Sequence, residues 1–161
     1  MAEQRTHSPH PAWMSRLQAV ADCLAGTVQR PAQPSAAELD AVSEQACTDL
    51  LEGRIEDALP AYGLLVSREP GRPEHHFGLG LCLQQIGEVH DAGVHFTLAL
   101  SLNPADAACA YRLGECMAAL GYPEEARDAF NMALALCQSA CQTAGLGPLT
   151  DLIHRALTDL H

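Results

Sequence analysis

The sequence predicts an all-α solenoid of three helix pairs, with an extra helix at its N-terminal end and a capping helix at its C-terminal end. Three observations predict it. Residue types recur at a step of 34, as Gly53, Gly87 and Gly121, as Ala58, Ala92 and Ala126, and as Tyr62, Phe96 and Phe130. The recurring types are those a pair of antiparallel helices needs: a glycine to end the first helix, a small residue where two backbones approach, and an aromatic four residues later on the same face. Both flanks of the repeating region carry apolar residues at helical spacing.

Each element follows in order. Pro11 opens a segment in which Trp13, Leu17, Val20 and Leu24 form a narrow apolar stripe, of the width that seals a helix pair. Gly26 to Pro34 has two prolines and no apolar pattern, so residues 1–34 are expected to be a helix and a linker ahead of a repeat domain at 35–161. Ser35-Ala-Ala-Glu38 is a capping box that starts a helix at about Ala36. The repeat units are 39–72, 73–106 and 107–140. Pro70 and Pro104 stop the second helix of a pair and set the turn to the next unit. Pro60 is expected in the first turn or so of its helix, and Pro123 at the start of its own. From Pro148, Leu149, Leu152, Ile153, Ala156, Leu157 and Leu160 form one stripe, with Thr150, Asp151, Arg155 and Asp159 on the other side, as a solenoid cap at 148–161 requires. Period and residue types together match the tetratricopeptide repeat.

Composition narrows the function. Of 161 residues, 9 are basic and 20 acidic, for a net charge of −11. That balance opposes binding to nucleic acid and to anionic membrane surfaces. All basic residues are arginines, which removes Schiff-base chemistry and phosphate loops ending in Gly-Lys. No apolar run reaches the roughly eighteen residues of a membrane span, and the opening MAEQRTHSPHPAW lacks a secretory pattern. The seven cysteines therefore read as reduced thiols, and the expected compartment is the cytoplasm.

The first helices of such pairs line a concave groove. The residues at its wall are Ser43, Cys47 and Leu50, then Phe77, Leu81 and Gln84, then Tyr111, Glu115 and Ala118. A mostly apolar wall with a few polar groups suits an extended peptide, whose backbone Gln84 or Tyr111 could satisfy. The alternative is that Phe77 and Tyr111 pack within the solenoid. With no Lys or Arg at these positions, the groove does not suit the carboxylate tail of a heat-shock protein. Cys82 and Cys116 occupy equivalent core positions. Cys137 and Cys141 share a face without further ligands for zinc, His75-His76 is expected at a helix rim, and His90 and His95 do not share a face. The expectation is a binding protein without metal, cofactor or catalytic residues.

The stretch Phe77-Gly-Leu-Gly-Leu-Cys-Leu-Gln-Gln-Ile-Gly87, with Gly114-Glu-Cys-Met117 and Gly121-Tyr-Pro-Glu-Glu-Ala126, resembles the class II chaperones of type III secretion systems. The resemblance covers roughly residues 36–141 and implies a non-enzymatic cytoplasmic chaperone. Such a protein binds an extended segment of a pore-forming translocator in its concave groove and is often a homodimer when empty. It implies Leu50, Phe77, Leu81, Gln84, Tyr111 and Glu115 as client contacts, and a role in the dimer for the helix bearing Trp13, Leu17, Val20 and Leu24. The family often has aromatic residues where this chain has Ser43, Cys47 and Leu50. Two rival readings are a general repeat scaffold joining folded proteins and a chaperone of a secretion needle subunit.

Overall fold

The structure, a computed structural model, describes residues 34–140 and 147–160. Among them are seven helices and no strand: α1 (Ala36–Leu51), α2 (Ile55–Arg68), α3 (Pro73–Gln85), α4 (Val89–Leu102), α5 (Ala107–Ala119), α6 (Pro123–Ala140) and α7 (Gly147–Asp159). Each helix packs on the next, while α1 also touches α3 and α5 also touches α7. This is the expected row of three pairs and a cap. The expected helix with Trp13, Leu17, Val20 and Leu24 lies outside the described residues, as does Cys141.

Local chemistry sets the helix ends. The Ser35 hydroxyl accepts from the Glu38 N–H at 3.3 Å and the Glu38 carboxylate accepts from the Ser35 N–H at 2.7 Å, so the capping box forms as expected. Gly53, Gly87 and Gly121 have φ of +76°, +89° and +82°. Each closes a first helix with two bonds. The glycine N–H reaches back to Leu50, Gln84 or Ala118, and the following N–H to Asp49, Leu83 or Met117 at 2.7–2.9 Å. A side chain at these glycines would be strained by the left-handed backbone.

The interior repeats with the sequence. Ala58, Ala92 and Ala126 are wholly buried, which lets the paired helices approach, and Tyr62, Phe96 and Phe130 fill the space beyond. Two of these rings rest on glycine. A Cβ at Gly80 would fall 2.7 Å from the Phe96 ring, and one at Gly114 2.6 Å from Phe130. The first repeat differs: Ala46 stands at the equivalent position, and the Tyr62 ring crowds Gly78 of the next unit instead, where a Cβ would be 2.2 Å away.

Three local expectations need correction. Pro60 is the sixth residue of α2, in its second turn, at an exposed position. His75 and His76 are buried rather than at a rim. In α7 only Ile153 is fully buried. Leu149, Ala156, Leu157 and Leu160 pack against the third repeat, but Leu152 is 44% exposed. The apolar stripe is wider than the face α7 presents to its neighbours, and its edge is left bare.

Candidate functional site

The first helices α1, α3 and α5 place the predicted wall residues in one series. Leu50 packs at the edge of the first-repeat core, and Phe77 and Leu81 at the edge of the second, each half-buried. Phe77 leans on Phe96 with ring centroids 5.7 Å apart. Ser43 and Ala118 are half-buried and Cys47 is exposed. These side chains are anchored by one flank and open on the other. Tyr111 is more deeply set, 9% exposed, with its ring 5.6 Å from that of Phe130.

A polar cluster joins the second and third repeats. The Gln84 side-chain amide donates to the Glu115 carboxylate at 3.3 Å, and the Arg112 guanidinium donates to the same oxygen at 2.9 Å. Arg112 also lies 5.9 Å from the centre of the Tyr111 ring. Burial, then the adjacent Glu115, pushes the Tyr111 hydroxyl up to about 12, so it stays a neutral hydrogen-bonding group. Gln84, Tyr111 and Glu115 are expected here from the sequence. Arg112 is not, although an Arg three residues before a Glu on one helix signals the pair.

Beyond this cluster the groove opens into a cleft of about 320 Å³. Tyr111, Glu115, Ala118 and Phe130 line one side, and Leu152, Arg155, Ala156, Asp159 and Leu160 of α7 line the other. The expected place of Arg155 and Asp159 is the outer face of a cap. Because α7 packs on both α5 and α6, its Arg155 edge turns toward the groove instead. A helix that caps a solenoid also supplies a wall, and the apolar stripe alone does not reveal which polar edge will do so.

Several of the remaining reactive groups are paired or unreactive. The His76 Nε2–H donates to the Pro70 carbonyl at 3.0 Å, which leaves its Nδ1 bare to accept from the His95 Nδ1–H at 3.1 Å. Burial pushes the Cys82 thiol up, Cys109 to about 12 and Cys116 to about 11, where no thiolate forms near neutral pH. Among the described residues no group of three His, Cys, Asp or Glu side chains is placed to hold a metal ion. No helix among them is long and apolar enough to cross a membrane.

A stack of helix pairs, each packed on the next and closed by a further helix, defines a helical-repeat protein. The family model described as tetratricopeptide repeat matches residues 44–100 and 94–140, more than half of the chain, and the chain belongs to that family. No curated protein sequence matches it significantly. Among solved structures, the type III secretion translocator chaperone SycD of Yersinia enterocolitica superposes with a TM-score of 0.73 at 19% identity, covering 84% of this chain and 91% of that one. SycD in complex with a peptide of the translocator YopD gives 0.72 at 19% identity, over 78% and 94% of the two chains. PcrH from Pseudomonas aeruginosa, in complex with the chaperone binding region of PopD, gives 0.72 at 20% identity, over 79% and 93%. At these identities the likeness is one of fold.

Proposed function

We propose that this protein is a cytoplasmic type III secretion chaperone, which holds an extended segment of a hydrophobic, pore-forming translocator in its groove and keeps it soluble until secretion. One observation carries the reading. The first helices present Leu50, Phe77, Leu81, Gln84 and Glu115 half-buried, with Tyr111 set more deeply beside them, on a fold shared with chaperones solved with translocator peptides. Apolar anchors in that series hold side chains, and the amide and carboxylate hold backbone. A client with long apolar segments is kept from aggregating by capture of an extended stretch, without nucleotide hydrolysis. The acidic surface keeps the complex dispersed. When empty, the protein pairs with a second copy through the stripe of Trp13, Leu17, Val20 and Leu24.

The test is co-expression with the product of a neighbouring gene that encodes two apolar membrane segments. It should co-purify with this protein, and Phe77→Ala with Leu81→Ala should abolish a micromolar complex, at about 1–3 kcal/mol for each apolar side chain cut back. Circular dichroism should stay helical. Undiminished capture by a folded variant removes the groove from the reading. A partner that binds only when folded, unmoved by competing peptide, favours a general scaffold instead.

A further inference from the structure

We infer that the cleft beneath α7 is a terminal subsite of the groove, taking one apolar side chain of an extended segment together with an acidic residue next to it. The inference rests on the groove reading above and adds what the far end selects. Its size comes first. At about 320 Å³ the cleft is at the low end of ligand pockets, which run from about 300 to 1,000 Å³, so it holds one or two residues and not a folded surface. Its walls come next. Tyr111 and Phe130 supply aromatic faces, and Leu152 stands at the mouth with 44% of its surface bare, an apolar edge that an incoming side chain would cover.

Charge then chooses the neighbour. Glu115 already receives Gln84 and Arg112, so it does not call for a cation. Arg155 lines the same cleft, is exposed, and like the distant Arg68 of α2 has no ion pair among the described residues, whereas Arg54, Arg72, Arg112 and Arg127 have one. Asp159, one turn further along, lies on the same wall without bonding Arg155. An Arg followed four residues later by an Asp is the weaker order for pairing along a helix, which leaves the guanidinium to an external carboxylate. The occupant is therefore an extended peptide with an apolar residue seated between Tyr111 and Leu152 and an acidic residue facing Arg155.

The probes are N-acetyl-leucyl-aspartyl amide and N-acetyl-leucyl-asparaginyl amide, titrated into the full chain and followed by amide NMR shifts. Both should shift Ala118, Leu152 and Ala156, with the aspartyl probe about threefold tighter, the range of an exposed charge pair. Arg155→Gln should bring the two probes to equal affinity and keep the apolar response. Leu152→Asp should weaken both. Equal affinities in the wild type, or discrimination that survives Arg155→Gln, would overturn the acidic preference. Absence of shifts in the cleft would overturn the subsite, as would shifts that depend on protein concentration without probe, which would place a second copy there. The probes read the cleft alone. A cleft that responds while the translocator fails to co-purify sinks the chaperone reading, and the reverse result sinks only the subsite.

Discussion

The entrance to the second repeat and the entrance to the third are built on one backbone frame and filled in opposite ways. At the first, His75 is 1% exposed with neither ring nitrogen hydrogen-bonded, and its Nδ1 is 3.8 Å from a Glu69 oxygen that has no hydrogen bond and is paired with Arg72 at 3.9 Å. Beside it His76 ties the Pro70 carbonyl to His95. Thirty-four residues on, the same places hold Cys109, Ala110 and Ala129, with Asn103 in place of Glu69. The first three are buried, and the Cys109 thiol donates to the Phe96 carbonyl at 3.2 Å. The glycine turns and the close alanines fix how the helices stack. They leave open whether the space between is polar or dry. One entrance carries protons that can be changed, and the other carries almost none.

The largest effect should come from forcing one filling into the other frame. Ala110 has no exposed surface. Ala110→His must overpack that site, at about 1–3 kcal/mol, and bury an imidazole without a partner, at about another 1–3 kcal/mol. The reverse change, His76→Ala, leaves the Pro70 carbonyl and the His95 N–H unpaired and should cost about 1–3 kcal/mol. Urea unfolding followed by circular dichroism ranks them. Equal costs would mean that the third repeat's entrance is not the tight, dry one.

Next in size is a test of what the two frames share. Gly80→Ala and Gly114→Ala put a methyl against Phe96 and Phe130 at nearly the same distance. Each should cost about 1–3 kcal/mol of overpacking, reduced by about 1 kcal/mol of helix propensity. The two drops in melting temperature should agree. If they diverge, the frame itself differs between repeats, and the contrast in filling is not the whole contrast.

How much of this was legible in the sequence follows from the same frame. A period of 34 displays whatever each unit must repeat, so the helix ends, Gly53, Gly87, Gly121 and the buried rings could all be read. His75 and His76 break the period, and polar residues next to a proline turn read as a rim. Comparison with Cys109 and Ala110, small residues at the same step, was the available signal that the site is interior. The places of Leu50, Phe77, Leu81 and Gln84 on the first helices were legible for the same reason as the core. The cleft was not, because α7 has no counterpart in the repeat and Arg155 can be assigned to the groove only once the packing of α7 on α5 and α6 is known.

The smallest effect changes only protons, and it separates the two entrances most cleanly. Burial, then the nearby Arg72, holds the His75 pKa below its ordinary value, with Glu69 and Glu74 pulling the other way. Burial, then His76, lowers that of His95, opposed by Asp91. Both groups therefore bind protons more readily in the unfolded chain, whose histidines titrate near about 6.5. Their contribution to stability is complete above that pH and is lost as pH falls through the lower folded values. At the other entrance Cys109, pushed up to about 12, stays a neutral thiol throughout this range. Protection against amide exchange, taken relative to the intrinsic rate at each pH, should accordingly fall in α3 between pH 7.5 and 5.5 before it falls in α5. His75→Leu replaces an unpaired buried imidazole with an apolar side chain, so it should not lower stability at pH 7.5 and should flatten the acid dependence. An acid profile that runs parallel in α3 and α5, or one that His75→Leu leaves unchanged, would mean that the buried imidazoles are not what makes the first entrance the weaker in acid.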